Sequence, residues 1–207
     1  MPLVTQHPTP PQAIISWSGG KDSSLALWKV LEEKKIEVCG LLTTISLPYN
    51  RISMHGVRRE LLDAQANAIG LPVYIAEVSE KTNAAYEDAM LLTFSKLKDK
   101  GITHIIFGDI FLEDLRLYRE KLLAKAGLKC IFPLWKKNTA ELAKEFIDSG
   151  FQTILCCVND AFLGENDCGK NFDADFLKQL PSSVDPCGEN GEFHTFCYAG
   201  PIFKKEL

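Results

Sequence analysis

Ile14-Ile15-Ser16-Trp17-Ser18-Gly19-Gly20-Lys21-Asp22-Ser23-Ser24-Leu25-Ala26-Leu27 is the stretch whose reading decides the fold. Apolar residues come first, then two glycines, a lysine, an aspartate and hydroxyls, then a helical pattern. That order predicts a buried strand, a tight turn and a helix N-terminus. The first turn of a helix has backbone N–H groups without intrahelical acceptors and carries a partial positive charge. A loop without side chains at Gly19 and Gly20 lets a phosphate approach those groups. Lys21 adds a full positive charge, and Ser18, Ser23 and Ser24 add hydroxyl donors. Asp22 is the odd member, because a carboxylate repels phosphate. It fits if a divalent cation sits between the two, or if it caps the helix.

Outward from that stretch, strands and helices alternate. Residues 23–34 read as a helix with Leu27, Val30 and Leu31 on one face, and residues 36–44 as a buried strand. Residues 46–53 are a loop, 56–69 a helix ended by Gly70, and 73–77 a short strand. Tyr86, Met90, Phe94 and Leu97 recur at helical spacing through 82–100. A strand at 104–107 ends at Gly108-Asp109; a charged helix follows over 112–126, then a short strand at 129–132. Asn138 or Thr139 caps a helix over 140–149, and 153–158 is another apolar strand. This alternation predicts an α/β fold, a doubly wound parallel sheet covered on both faces. Ligands in such sheets bind beyond the carboxyl ends of the strands, at the topological switch point. Ser18 to Ser23, the loop near Met54-His55, and Gly108-Asp109 then share one rim. The pattern weakens after residue 159, where polar loops, a short helix at 172–180 and a strand at 194–199 follow. We expect a loose tail over 1–12, a nucleotide domain over 13–150 and a smaller substrate-binding region over 151–207.

Composition narrows the function. A chain of 207 residues with 46% hydrophobic and 24% charged residues can build one substantial core. A formal net charge of -4 argues against general nucleic-acid binding. No apolar run is long enough to span a bilayer, and the proline-bearing N-terminus is not a signal peptide. Seven cysteines, an odd count without C-x-x-C, suggest reduced thiols in the cytoplasm.

Three further constellations carry chemistry. His55 follows Met54 at a loop–helix junction, with Arg51 before it and Arg58-Arg59 after. It could contact an anion or shuttle a proton, or merely lie near a helix start. Asp109 directly follows an apolar strand, and Arg116 and Arg119, three residues apart, share a helix face. Their guanidiniums could hold a carboxylate or phosphate, or pair with neighbouring acids on a solvated helix. In Asp185-Pro186-Cys187-Gly188-Glu189-Asn190-Gly191-Glu192-Phe193-His194-Thr195-Phe196, two glutamates flank an Asn-Gly turn. They could bind a cation, ammonia or an amine, or simply be exposed acids of a hairpin.

Neither G-x-x-x-x-G-K-S/T nor G-x-G-x-x-G is present. Ser18-Gly19-Gly20-Lys21-Asp22-Ser23 instead resembles the pyrophosphate loop of the ATP pyrophosphatases, which cleave ATP between the α- and β-phosphates. Taken with Met54-His55, Gly108-Asp109-Ile110, Arg116, Arg119, Pro133-Leu134-Trp135 and the late Gly-Glu-x-Gly-Glu-Phe-x-Thr-Phe, the chain resembles the diphthine–ammonia ligase family. The resemblance implies an adenine nucleotide alpha hydrolase-like fold and ATP-dependent amidation with Mg2+. A substrate carboxylate would attack the α-phosphate, pyrophosphate would leave, and ammonia would displace AMP from the acyl-adenylate. It assigns Ser18, Gly19, Gly20, Lys21, Asp22 and Ser23 to the phosphates, with Lys21 stabilising the departing pyrophosphate and Asp22 helping to hold magnesium. Met54 and Gly108 would line the nucleotide pocket. Lys21, Asp22 and Asp109 would be catalytic. His55, Arg116, Arg119, Glu189, Glu192 and His194 would face the acyl acceptor and the amine.

One departure matters. Eukaryotic and archaeal ligases resemble Glu-Gly-Gly-Glu-Tyr-Glu-Thr at the late motif, whereas this chain has His194 in place of an acid. The Glu-Asn-Gly-Glu-Phe-His form resembles the family's bacterial branch, whose acceptor would be a corrinoid-linked or other small carboxylic acid rather than diphthine. The expected partners are thus a small-molecule or protein-bound carboxylate and ammonia, with no membrane or nucleic acid; a homodimer is allowed. Two other readings stay open. A tRNA-modifying relative would share the loop but use a catalytic cysteine pair or a basic appendage, and Cys156-Cys157 and Cys187 keep it in view. A non-catalytic nucleotide-binding regulator could use the same fold.

Overall fold

Strand β1 (Gln12–Ser16) sends alternate side chains to opposite faces, and that alternation organises the molecule. Ala13, Ile15 and Trp17 join one apolar cluster, and Ile14 joins the other. The computed structural model describes residues 9–53, 55–79 and 82–207. Most of the expected N-terminal tail lies outside that range, and Gln12 already belongs to β1.

The order continues as α1 (Lys21–Glu33), β2 (Glu37–Ser46), β3 (Arg51–Ile52), α2 (Arg59–Ile69), β4 (Val73–Val78), α3 (Asn83–Asp99) and β5 (His104–Ile106). Then come α4 (Glu113–Ala126), β6 (Lys129–Ile131), α5 (Thr139–Asp148), β7 (Gln152–Val158), α6 (Ala174–Gln179) and β8 (Phe193–Ala199). Helix ends follow their local chemistry. Gly70 and Gly127 close α2 and α4 at φ 81 and 68, where a Cβ would be strained. The Asn138 side chain accepts from the Glu141 amide to start α5.

Leu41 and Leu42 of β2 pair with both β1 and β4, so these two strands flank β2 on opposite edges. β1 also pairs with β5, and β5 with β6, giving the parallel order β4-β2-β1-β5-β6. The short antiparallel β3 pairs with the last two residues of β2. The expected parallel α/β sheet is present. Chain direction across it reverses between β1 and β5, which puts the switch point beside the loop after Ser16.

Helices α1, α2 and α5 cover one face through Leu27, Leu62 and Phe146; α3 and α4 cover the other through Phe94 and Leu123. Leu31, expected on the buried side of α1, is 40% exposed. Strand β7 does not extend this sheet: it pairs antiparallel with β8 in a separate two-stranded sheet. Leu155, Phe193 and Phe196 of that sheet, with Phe151 just before it, belong to the same apolar cluster as Ile15 and Leu27. The C-terminal region and the face it packs on therefore share apolar core.

Candidate active site

The loop after β1 is held from three sides. Gly19 turns at φ +82, in the left-handed region that suits glycine. Gly20 precedes α1 in extended backbone. A Cβ on Gly20 would stand 3.0 Å from His55 Cε1 and 3.0 Å from the Thr195 carbonyl. Its missing side chain therefore lets His55 and the Thr195 backbone pack against the loop. Gly108 is similar: a Cβ there would lie 2.9 Å from the Asp22 carbonyl carbon, so the end of β5 can touch the start of α1.

Three first-turn donors meet different fates. The Lys21 amide donates to Thr195 Oγ1 at 3.0 Å. Among the described residues, the amides of Asp22 and Ser23 have no acceptor. The hydroxyls of Ser23 and Ser24 donate back to the Gly20 carbonyl at 3.0 and 2.9 Å, and Ser18 Oγ lies 3.2 Å from Ser23 Oγ. Lys21 Nζ meets both carboxylate oxygens of Asp22 at 2.7 Å, with the rings of Phe193 and Phe172 at 5.7 and 5.9 Å. Burial is the largest single influence and opposes the lysine charge, but Asp22, Cys187 and Glu189 together outweigh it and hold the ammonium above its ordinary pKa.

These groups open onto a cavity of about 580 Å3 at the carboxyl ends of β1, β2 and β5. Ser18, Lys21, Asp22, Ser23, His55, Gly108, Asp109, Arg119, Glu189 and His194 all reach its wall, so one rim gathers most of the residues singled out in the sequence. Met54 lies outside the described residues.

Three expected substrate ligands already have partners within the protein. Arg116 lies over Trp135 and Phe132, at 4.7 and 5.1 Å from the ring centroids, and donates to Glu120 at 2.8 Å. It is absent from the cavity wall. Arg119, one turn on, lies 4.4 Å over Phe107 and donates from Nη2 to Asp109 Oδ1 at 3.1 Å. Asp109 thus meets the cavity with its charge already paired. Glu192 is 1% exposed, and its carboxylate accepts from the Asp185 and Asn190 amides and the Asn190 side chain. It shapes the turn instead of facing a ligand. Burial favours its neutral form, yet these donors hold its pKa below the ordinary value.

Glu189 does face the cavity, accepting from the Ile110 amide at 2.8 Å. Burial is the main cause that lifts its pKa to about 7. His55 and His194 stack with ring centroids 4.4 Å apart. Burial and His194 drive His55 down to about 3, and burial with Lys21 lowers His194. Both imidazoles are neutral at pH 7, so replacing an acid by His194 removes one negative charge without adding a positive one. The cavity's carboxylates remain Asp22, Asp109 and Glu189.

Sequence reasoning missed Gln65 and, as site residues, Tyr86 and Thr195, which line the cavity. Gln65 carried a readable signal: it lies between Leu62, Ala66 and Ile69 on the apolar side of α2, where a polar residue needs partners. All seven cysteines are free. Burial pushes the thiols of Cys156 and Cys187 up to about 12, which does not suit the reactive cysteine pair of the tRNA-modifying reading.

Fold and site together define an α/β protein with unpartnered helix-N-terminal amides and a lysine–aspartate pair at the switch point of a parallel sheet. The chain belongs to the diphthamide synthase family: residues 11–130 match its N-terminal domain and residues 138–207 its C-terminal domain. A diphthine–ammonia ligase of Bos taurus is 30% identical over 181 residues, covering 78% of this chain and 65% of that one. The Danio rerio ligase is 28% identical over 170 residues, covering 73% and 66%. The chain thus spans about two thirds of the length of these relatives. The Rattus norvegicus ligase aligns over 92% of this chain and 79% of its own at 28% identity. Among solved structures, the U34-tRNA thiolase NcsA of Methanococcus maripaludis superposes at TM-score 0.38 with 16% identity, over 67% of this chain and 56% of that one.

Proposed function

We propose that this protein is an ATP-dependent ligase that activates a substrate carboxylate and converts it to an amide with ammonia. The observation that carries the reading is the pair of unpartnered amides at Asp22 and Ser23, set beside Lys21 in a cavity that also presents Glu189. Helix N-terminal amides and a lysine suit the outer phosphates of a nucleotide. Lys21 then stabilises charge building on the departing pyrophosphate, an electrostatic effect that needs no proton transfer. The α-phosphorus is left open to attack by the acceptor carboxylate. Ammonia attacks the resulting acyl-adenylate, AMP leaves, and the attacking nitrogen sheds a proton. Glu189, with its pKa near 7, is the cavity group suited to take it.

Among the described residues no group of three or more His, Cys, Asp or Glu side chains is arranged to hold a metal. Magnesium arriving with a nucleotide needs only one or two carboxylates beside the phosphates. Asp22, on the cavity wall at the loop, fits that part. The ion would neutralise phosphate charge there.

The acceptor is proposed only as a carboxylic acid, small or protein-bound. The test supplies ATP labelled at the α-phosphate, ammonium, and a panel of acids including diphthine-bearing protein and corrinoid acids. Labelled AMP that forms only with an accepted acid supports the reading. Labelled ADP as the product contradicts it.

A further inference from the structure

Gln65 is fully buried, at 0% exposure, and no part of the proposed chemistry requires it. It does not reach the cavity wall. Its side chain nevertheless joins three segments that meet only in the folded protein. Oε1 accepts from Trp17 Nε1 at 3.0 Å, at the exit of β1. Nε2 donates to the Gly19 carbonyl at 2.9 Å and to the Cys197 carbonyl, in β8, at 2.6 Å. The orientation of the amide is fixed by its partners, since an indole N–H only donates and carbonyls only accept. The Cys197 amide in turn donates to the Gly19 carbonyl at 2.9 Å. That carbonyl therefore receives two hydrogen bonds at the one residue of the loop held at positive φ.

We infer that Gln65 is the positioning residue of the phosphate loop. It holds the Gly19 carbonyl in place, and this fixes the backbone that leads into the unpartnered amides of Asp22 and Ser23. It also ties the loop to the strand whose Thr195 caps Lys21. No other neutral side chain of this length offers one acceptor and two donors on a single planar group. Glutamate keeps the shape and the acceptor but sets a carboxylate against two carbonyls. Methionine keeps the length and loses all three bonds.

This inference rests on the nucleotide reading, and its test separates the two. Amide hydrogen exchange is measured on the ligand-free protein and on the Gln65→Glu and Gln65→Met variants. Binding of ATP and of AMP is measured on the same three. Both variants should speed exchange at the Cys197 amide by tenfold or more while β1 and β5 stay protected. They should also cut the preference for ATP over AMP about tenfold, because only ATP carries the outer phosphates that the loop holds; general damage to the fold would weaken both ligands alike. If exchange at Cys197 is unchanged, or if a wild-type preference for ATP survives in both variants, the positioning role is overturned. If the wild type shows no preference for ATP while exchange still responds, the tie stands and the nucleotide reading falls.

Discussion

Lys21 is the residue on which most of the chemistry converges. Its ammonium is buried, paired with Asp22 and placed at the first turn of α1. Lys21→Ala should cut AMP release on the order of a hundredfold or more, the scale of one lost electrostatic donor at a transition state. The check is product release by the variant at saturating ATP. Glu189 sets the expected pH dependence. Its pKa is raised from 4.5 to about 7, so a step that needs the carboxylate strengthens as pH rises through neutrality. A rate profile from about pH 6 to 8 should rise in the wild type and flatten in Glu189→Gln. Stability runs the other way. The unfolded chain ionises this group near its ordinary value, so the native state loses stability as pH climbs from there through about 7. Denaturation midpoints of the two proteins should accordingly diverge as pH climbs from 4.5 to about 7 and stay apart above it. At this scale the sequence was read unevenly. That Asp22, His55 and Glu189 share one cavity with Asp109 was legible because three motifs and a strand end fall on one rim of the sheet. Arg116 misled because the rings that cover it, Phe132 and Trp135, lie beyond its own helix, and Glu192 because the turn folds the Asp185 and Asn190 amides back onto its carboxylate.

At the scale of elements, the junction of α1 with β5 and β8 controls the site. Thr195→Val deletes the acceptor of the Lys21 amide and should cost about 1 kcal/mol, as lost N-caps do. Gly108→Ala brings a Cβ to 2.9 Å from the backbone of Asp22, which cannot yield without moving α1. That overpacking should cost about 1–3 kcal/mol. Urea unfolding of each variant measures both. Helix limits were legible because glycines and Asn138 mark them chemically. The pairing of β7 was not. An apolar run such as Thr153 to Val158 says that a strand is buried, but its partner β8 lies beyond a long loop whose path no local pattern encodes.

Across the whole molecule, the family's two domains share one apolar cluster, from Ile15 and Trp17 on the main sheet to Phe146, Phe151 and Phe193. A shared core predicts one cooperative unfolding transition, not two. Tryptophan fluorescence and far-UV circular dichroism should give coincident curves, and separate midpoints would show independent halves. Among the described residues no helix is long and apolar enough to cross a membrane. The net charge of -4 predicts little affinity for RNA at moderate salt, which filter binding would check. The most direct test of the central claim is a crystal structure with a non-hydrolysable ATP analogue and magnesium. The account predicts the β- and γ-phosphates on the amides of Asp22 and Ser23, within reach of Lys21, with the α-phosphate turned toward Glu189. A triphosphate lodged away from residues 18–23 would contradict it.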